Sequence, residues 1–205
     1  MVAFALATNL NNASSNDEAG SLIEMENVPL SGAIYNLTQQ LELNCILDPR
    51  LLSSRGGTLL SDPPITVRWE NITVQEGLLR VLKEHALVLV TNAATSVARI
   101  APVNVSIQPI PASAVRKDTN GVIPVLIMDY EPLAEAIKTL ATRAGLSVSL
   151  DPSTKTAFTT PDVFEKDIVV SFRWQNITTR QALAALLDNY DLAMIEEPGK
   201  SPARI

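Results

Sequence analysis

VPLSGAIYNL at residues 28–37 and EPLAEAIKTL at residues 131–140 are one piece of sequence written twice. Pro29, Leu30, Ala33, Ile34 and Leu37 meet identical residues at Pro132, Leu133, Ala136, Ile137 and Leu140, and the same register carries Leu43, Leu47, Asp48 and Pro49 onto Leu146, Leu150, Asp151 and Pro152. Downstream, VRWENIT at 67–73 matches FRWQNIT at 172–178, with two residues added in between, and SVARI at 96–100 matches SPARI at 201–205. Length changes of this kind belong in loops. A long self-match at a nearly constant offset is the signature of a repeated structural unit, and it governs everything read after it.

Within a unit, the periodicity changes in a definite order. A short strand (Leu22 to Asn27, Val125 to Tyr130) runs into a proline, which cannot continue a ladder but suits the first position of a helix. Leu30, Ala33, Ile34, Leu37 and Leu41 then form one helical stripe, repeated by Leu133, Ala136, Ile137, Leu140 and Ala144. Leu146, Val148 and Leu150 alternate with serines as a strand, ended by Asp-Pro; Cys45 aligns with Val148 and reads as a small core hydrophobe. A third strand (Ile65 to Glu70, Ile168 to Gln175) puts Ile65, Val67 and Trp69, or Val170, Phe172 and Trp174, on the buried face. Thr73 with Glu76, and Thr178 with Gln181, have the spacing of a capping box, which opens a second helix carrying Leu78, Val81 and Leu82 or Leu183, Leu186 and Leu187. Leu87 to Val90 and Val97 to Ile100 close as a hairpin.

The predicted fold class is α+β: two tandem copies of a βαββαββ module, each with two helices packed against small mixed sheets. Residues 1–21 read as a flexible tail, 22–101 as the first module, 102–122 as a linker stiffened by Pro102, Pro109 and Pro111, and 123–205 as the second module. At about eighty residues a single module has a modest core, so packing of the copies on each other is expected to add support.

Composition removes several functional classes. With 16 basic and 22 acidic residues and a net charge of −6, the chain repels phosphate backbones, so nucleic acid is not an expected partner. Cys45 is the one cysteine and His85 the one histidine, which rules out an internal disulfide and a Cys/His zinc site. Val2 to Ala7, the longest early apolar stretch, is too short to span a bilayer and lacks the basic flank of a signal peptide, so direct membrane insertion by this chain is not expected.

The succession of short strand, Pro-Leu helix start, Leu-Asp-Pro strand end, Thr-capped helix and closing strands resembles the short N-terminal domain shared by secretins and TonB-dependent receptors, in both copies, over about residues 22–101 and 123–205. That resemblance implies a periplasmic or cell-envelope protein; no enzymatic activity and no cofactor are expected, because the sequence supplies no set of nucleophile, base or metal ligands. It would interact or assemble with other envelope proteins or with itself, as part of a secretin-like or TonB-linked system. The sequence contains neither a secretin ring domain nor a receptor barrel. The alternative is a periplasmic small-ligand or glycan-binding protein that uses a cleft between the two modules.

The repeated Arg-Trp pair, Arg68–Trp69 and Arg173–Trp174, is the feature that bears on partner binding. Strand alternation alone accounts for an outward arginine beside an inward tryptophan. Arginine is also enriched at interface hot spots, which makes Arg68 and Arg173 the candidate partner-contacting residues. His85, aligned with Tyr190, reads as a helix-terminal residue with no nucleophile or carboxylate partner. Glu24 with Glu26, Asp162 with Glu165 and Glu196 with Glu197 could each be written as an acid/base pair, but none recurs in both copies. No catalytic, cofactor-binding or metal-binding residue is assigned. Asn71 and Asn176, although in N-x-T triplets, read as turn residues before the helix cap.

Overall fold

The computed structural model of the chain describes residues 21–52, 59–92, 94–104, 121–149, 168–195 and 203–205. The tail before Ser21, the linker interior at 105–120 and the pairs Asp162/Glu165 and Glu196/Glu197 lie outside them. The fold is mixed α+β, with four α-helices and small sheets among the described residues.

In the first half, β1 (Ser21–Pro29) leads into α1 (Leu30–Gln40), β2 (Cys45–Leu47) and a 3₁₀ turn (Pro49–Leu51). Then come β3 (Pro64–Ile72), α2 (Val74–Glu84), β4 (Leu87–Asn92) and β5 (Val97–Pro102). The second half runs β6 (Ile123–Pro132), α3 (Leu133–Arg143), β7 (Val148–Ser149), β8 (Val169–Ile177), α4 (Thr179–Asn189) and β9 (Ala203–Arg204). β1 pairs antiparallel with β3, and β6 with β8, as two-stranded ribbons. β2 lies parallel to β5, which is antiparallel to β4, and β7 lies parallel to β9. Of the segment corresponding to β4, residues 192–195 are described, and among them Ile195 makes a β-bridge.

Local chemistry explains the boundaries. Pro29 and Pro132 sit one position earlier than the sequence predicts, as the N-caps of α1 and α3. The first helical N–H groups are therefore satisfied from the chain entering the long strand: Leu30 N donates to the Pro63 carbonyl at 3.0 Å and Leu133 N to the Ile168 carbonyl at 2.7 Å. Both helices end in a left-handed residue, Glu42 (φ 51°) and Gly145 (φ 69°). The next N–H returns to the helix, Leu43 to Thr38 at 2.9 Å and Leu146 to Ala141 at 2.8 Å, which closes the orphan carbonyls. The predicted capping boxes form at Thr73 with Glu76 and at Thr178 with Gln181. Asn71 (φ 56°) and Asn176 (φ 50°) make the left-handed turn ahead of each.

The cores are unequal. Leu30, Ala33, Ile34, Leu37, Leu78, Val81, Leu82 and Ile100 bury together in the first half. The second core gathers Leu133, Ile137, Leu140, Trp174, Leu183 and Leu186, and it also takes in Ile46 and Val97 from the first half. Period-two alternation along β5 explains this: Ala98 and Ile100 point one way, and Val97, Arg99 and Ala101 point the other, with all five buried. The equal burial expected of the two tryptophans is corrected accordingly. Trp174 is 0% exposed, whereas Trp69 is half-buried.

Candidate partner-binding surface

Two surfaces decide what the chain can hold: the one where its halves meet, and the outer faces of its two ribbons. At the first, Trp174 stacks on Phe172 with ring centroids 3.8 Å apart, and its indole Nε1 donates to the Cys45 carbonyl at 2.9 Å. Asn44, next to it, uses both ends of its carboxamide on the edge of β8. Its Nδ2 donates to the Gln175 carbonyl at 2.8 Å, and its Oδ1 accepts from the Gln175 N–H at 2.7 Å. The side chain thus replaces a neighbouring strand at that point. Asn189 Nδ2, at the end of α4, donates to the Leu47 carbonyl at 3.0 Å.

A buried charge network lies behind these contacts. The fully buried Asp48 accepts from the Arg50 backbone N–H at 2.9 Å, from Arg50 Nε at 2.8 Å and Nη2 at 2.7 Å, and from Arg99 Nε at 2.9 Å. Arg99, itself 5% exposed, reaches across with Nη1 to the Asp188 carbonyl at 2.9 Å and lies 3.6 Å from the Asp191 carboxylate. Burial alone would push the Asp48 carboxyl up, but the hydrogen bonds from Arg50 and the charges of Arg99 and Arg50 outweigh it and hold the group below its ordinary value. Asp188 goes the other way, raised chiefly by burial. Tyr190, the C-cap of α4, is pushed up to about 12, first by burial and then by the negative charge of Asp48.

The cleft required by the ligand-binding alternative would run along this boundary, which among the described residues is occupied by packed side chains. Cys45 is half-buried at the same place, and burial raises its thiol above the ordinary value. His85 caps the end of α2, as its position predicts. Among the described residues no group of three or more His, Cys, Asp or Glu is placed to hold a metal ion. No helix there is long and apolar enough to cross a membrane.

The second surface contains both predicted site residues, and the structure does not bring them together: Arg68 lies on the outer face of the first ribbon and Arg173 on that of the second. Each sits directly opposite an equivalent residue of the neighbouring strand, Glu24 in one case and Ile127 in the other. Arg68 lies between two carboxylates, 3.9 Å from Glu24 and 3.6 Å from Glu70, and all three side chains are more than half exposed. At the positions of those carboxylates the second half carries Ile127 and Gln175. Arg173 is exposed and makes no ion pair or hydrogen bond among the described residues. Exposed apolar side chains lie on the facing strand, Ile127 at 58%, Val125 at 45% and Tyr130 at 60%, while Ser171 and Gln175 flank Arg173 on its own strand.

Sequence reasoning reached the two arginines but missed Asn44, Asp48 and Arg99. A signal for the last two existed, since Leu-Asp-Pro and Ala-Arg-Ile recur in both copies and place a charge inside an apolar run.

No family model matches the chain, and no curated protein does. It is similar to a solved structure described as "Structure of XcpQN012", at 11% identity, over 85% of this chain and 99% of that one, with a TM-score of 0.30. A likeness that shallow carries no functional inference.

Proposed function

We propose that this chain is a non-enzymatic protein-interaction or assembly module of the cell envelope. In this reading it is built from two tandem units, residues 22–101 and 123–205, of the kind shared by secretins and TonB-dependent receptors, and it works in the periplasm. The observation that carries the proposal is the outer face of the β6–β8 ribbon, where Val125 and Ile127 lie open near Arg173, which has no ion-pair partner among the described residues. Apolar side chains grouped around an arginine are the usual chemistry of a protein-binding patch. A ribbon face that served only solubility would resemble its counterpart, where Glu24, Arg68 and Glu70 neutralise one another in water.

The test is capture of envelope proteins by the immobilised full chain, with concentration-dependent light scattering to detect self-association. The proposal expects either a specific captured protein or an oligomer. A strict monomer that retains nothing above a control column contradicts it.

A further inference from the structure

The two ribbon faces are a natural substitution experiment. At matched positions the first half has Leu22, Glu24, Arg68 and Glu70, and the second has Val125, Ile127, Arg173 and Gln175. The arginine is kept while both carboxylates beside it are replaced by uncharged side chains. Asp129, exposed farther along β6, makes no ion pair with Arg173 among the described residues. In a chain with net charge −6, an arginine with no ion-pair partner among the described residues stands out beside exposed apolar side chains. The surface also continues onto the first half: Gln175 Nε2 lies 3.5 Å from Gln39 Oε1, and Tyr35, one turn earlier on α1, is 50% exposed.

From this we infer that the β6–β8 face docks an extended segment of another protein in which a carboxylate stands between apolar side chains, with Arg173 taking the carboxylate and Val125 and Ile127 the apolar neighbours. The inference rests on the interaction role proposed above and assigns it a surface and a partner chemistry. An extended occupant fits because the apolar positions are two residues apart on one strand, the spacing at which side chains of a strand share a face. A second copy of this chain fits less well. Two of its exposed ribbon carboxylates, Glu24 and Glu70, already lie beside Arg68 and would exchange one ion pair for another, and the crosslinking below distinguishes a copy that offers Glu26 or Asp129. Closing the partner's apolar side chains over Arg173 removes water from the pair, which strengthens its attraction at a desolvation cost, so the apolar contacts supply affinity and the ion pair selects the partner.

The experiment uses the full chain with a photo-crosslinking phenylalanine derivative at position 125 or at the matched position 22, exposed to envelope extract, and maps crosslinked peptides by mass spectrometry. Crosslinks from 125, few from 22, to a peptide with Asp or Glu flanked by apolar residues are the expected result. Ile127→Glu, which installs the first half's carboxylate beside Arg173, should cut the yield on the order of tenfold, as should Arg173→Glu, while Arg173→Lys keeps most of it. Circular dichroism on each variant separates lost docking from lost folding. Crosslinks to a peptide without a carboxylate, to this chain itself, or equally from both positions overturn the inference. Specific capture by the unmodified chain with no crosslink at 125 overturns the surface assignment and leaves the interaction role standing, whereas no capture at all removes both.

Discussion

Trp69 and Trp174 occupy the same position of the same strand in the two halves and do different work. Trp174 is sealed between the halves, stacked on Phe172 and hydrogen-bonded through Nε1 to Cys45. Trp69 stays half-buried, with the Arg80 guanidinium 5.8 Å from its ring centre. The cause lies on the following helix. α4 carries Ala182 and Ala185, both buried, where α2 carries Gly77 and Arg80. Of these two positions only Arg80 against Ala185 differs in the needed sense, since Gly77 is smaller than Ala182: a buried alanine stands in the second half where the first half has an arginine beside its tryptophan. One fold can thus offer an adhesive face or a solvated one with a handful of substitutions, because the residues that define the fold are not those that define its contacts.

The largest effect that could break this comparison is truncation of the tryptophans themselves. Trp174→Ala should destabilise by about 3–5 kcal/mol, since it opens a cavity and strips the halves of their central contact. Trp69→Ala should cost well under half as much; equal losses in urea denaturation would show that the two sites are equivalent after all.

Next comes the buried network. Asp48→Asn takes from Arg99 its buried counter-charge, leaving the exposed Asp191 carboxylate at 3.6 Å, and should cost about 3 kcal/mol at neutral pH. The sign of its pH dependence follows from the lowered Asp48 carboxyl. Such a group contributes stability above the ordinary carboxylate range and loses it as pH falls through the depressed value. The gap between wild type and Asp48→Asn should therefore be full at neutral pH and close below that range. Asp188, raised by burial, contributes in the opposite sense and titrates at higher pH. A gap that stays constant down to the acid transition would show that Asp48 is not charged in the fold.

Asn44→Ala sharpens the comparison more gently. It removes both hydrogen bonds to the Gln175 backbone and should cost about 1–3 kcal/mol, while Ser147→Ala, the matched change in the second half, should cost almost nothing. The smallest effect is at the helix ends. Glu42 adopts the left-handed conformation that Gly145 adopts freely, so Glu42→Gly should leave stability unchanged or raise it by up to about 1 kcal/mol, whereas Gly145→Glu should lower it by about that amount in thermal melts.

Much of the fold was legible because its signals are local. Helical stripes, capping boxes and strand alternation each involve residues a few positions apart, and each occurs twice. Even the asparagine turns at 71 and 176 could be read, since a positive φ ahead of a cap is a short-range demand. The contact between the halves was not legible. Asn44 meets Gln175, and Arg99 meets Asp188, across sequence separations that leave no periodic trace, and nothing about Cys45 in isolation tells that its carbonyl holds an indole. The candidate surface falls between these cases. Arg68 and Arg173 could be named from alternation, but that one lies between carboxylates and the other has no such partner among the described residues follows from comparing Glu24 and Glu70 with Ile127 and Gln175 once the strand register is fixed.

The direct test of this asymmetry is ¹⁹F NMR of the full chain labelled with 5-fluorotryptophan, which gives one resonance for each of the two tryptophans, assigned with Trp69→Phe. Titration with a soluble paramagnetic probe should broaden the Trp69 signal and leave Trp174 sharp. Equal broadening of both would contradict the sealed contact between the halves.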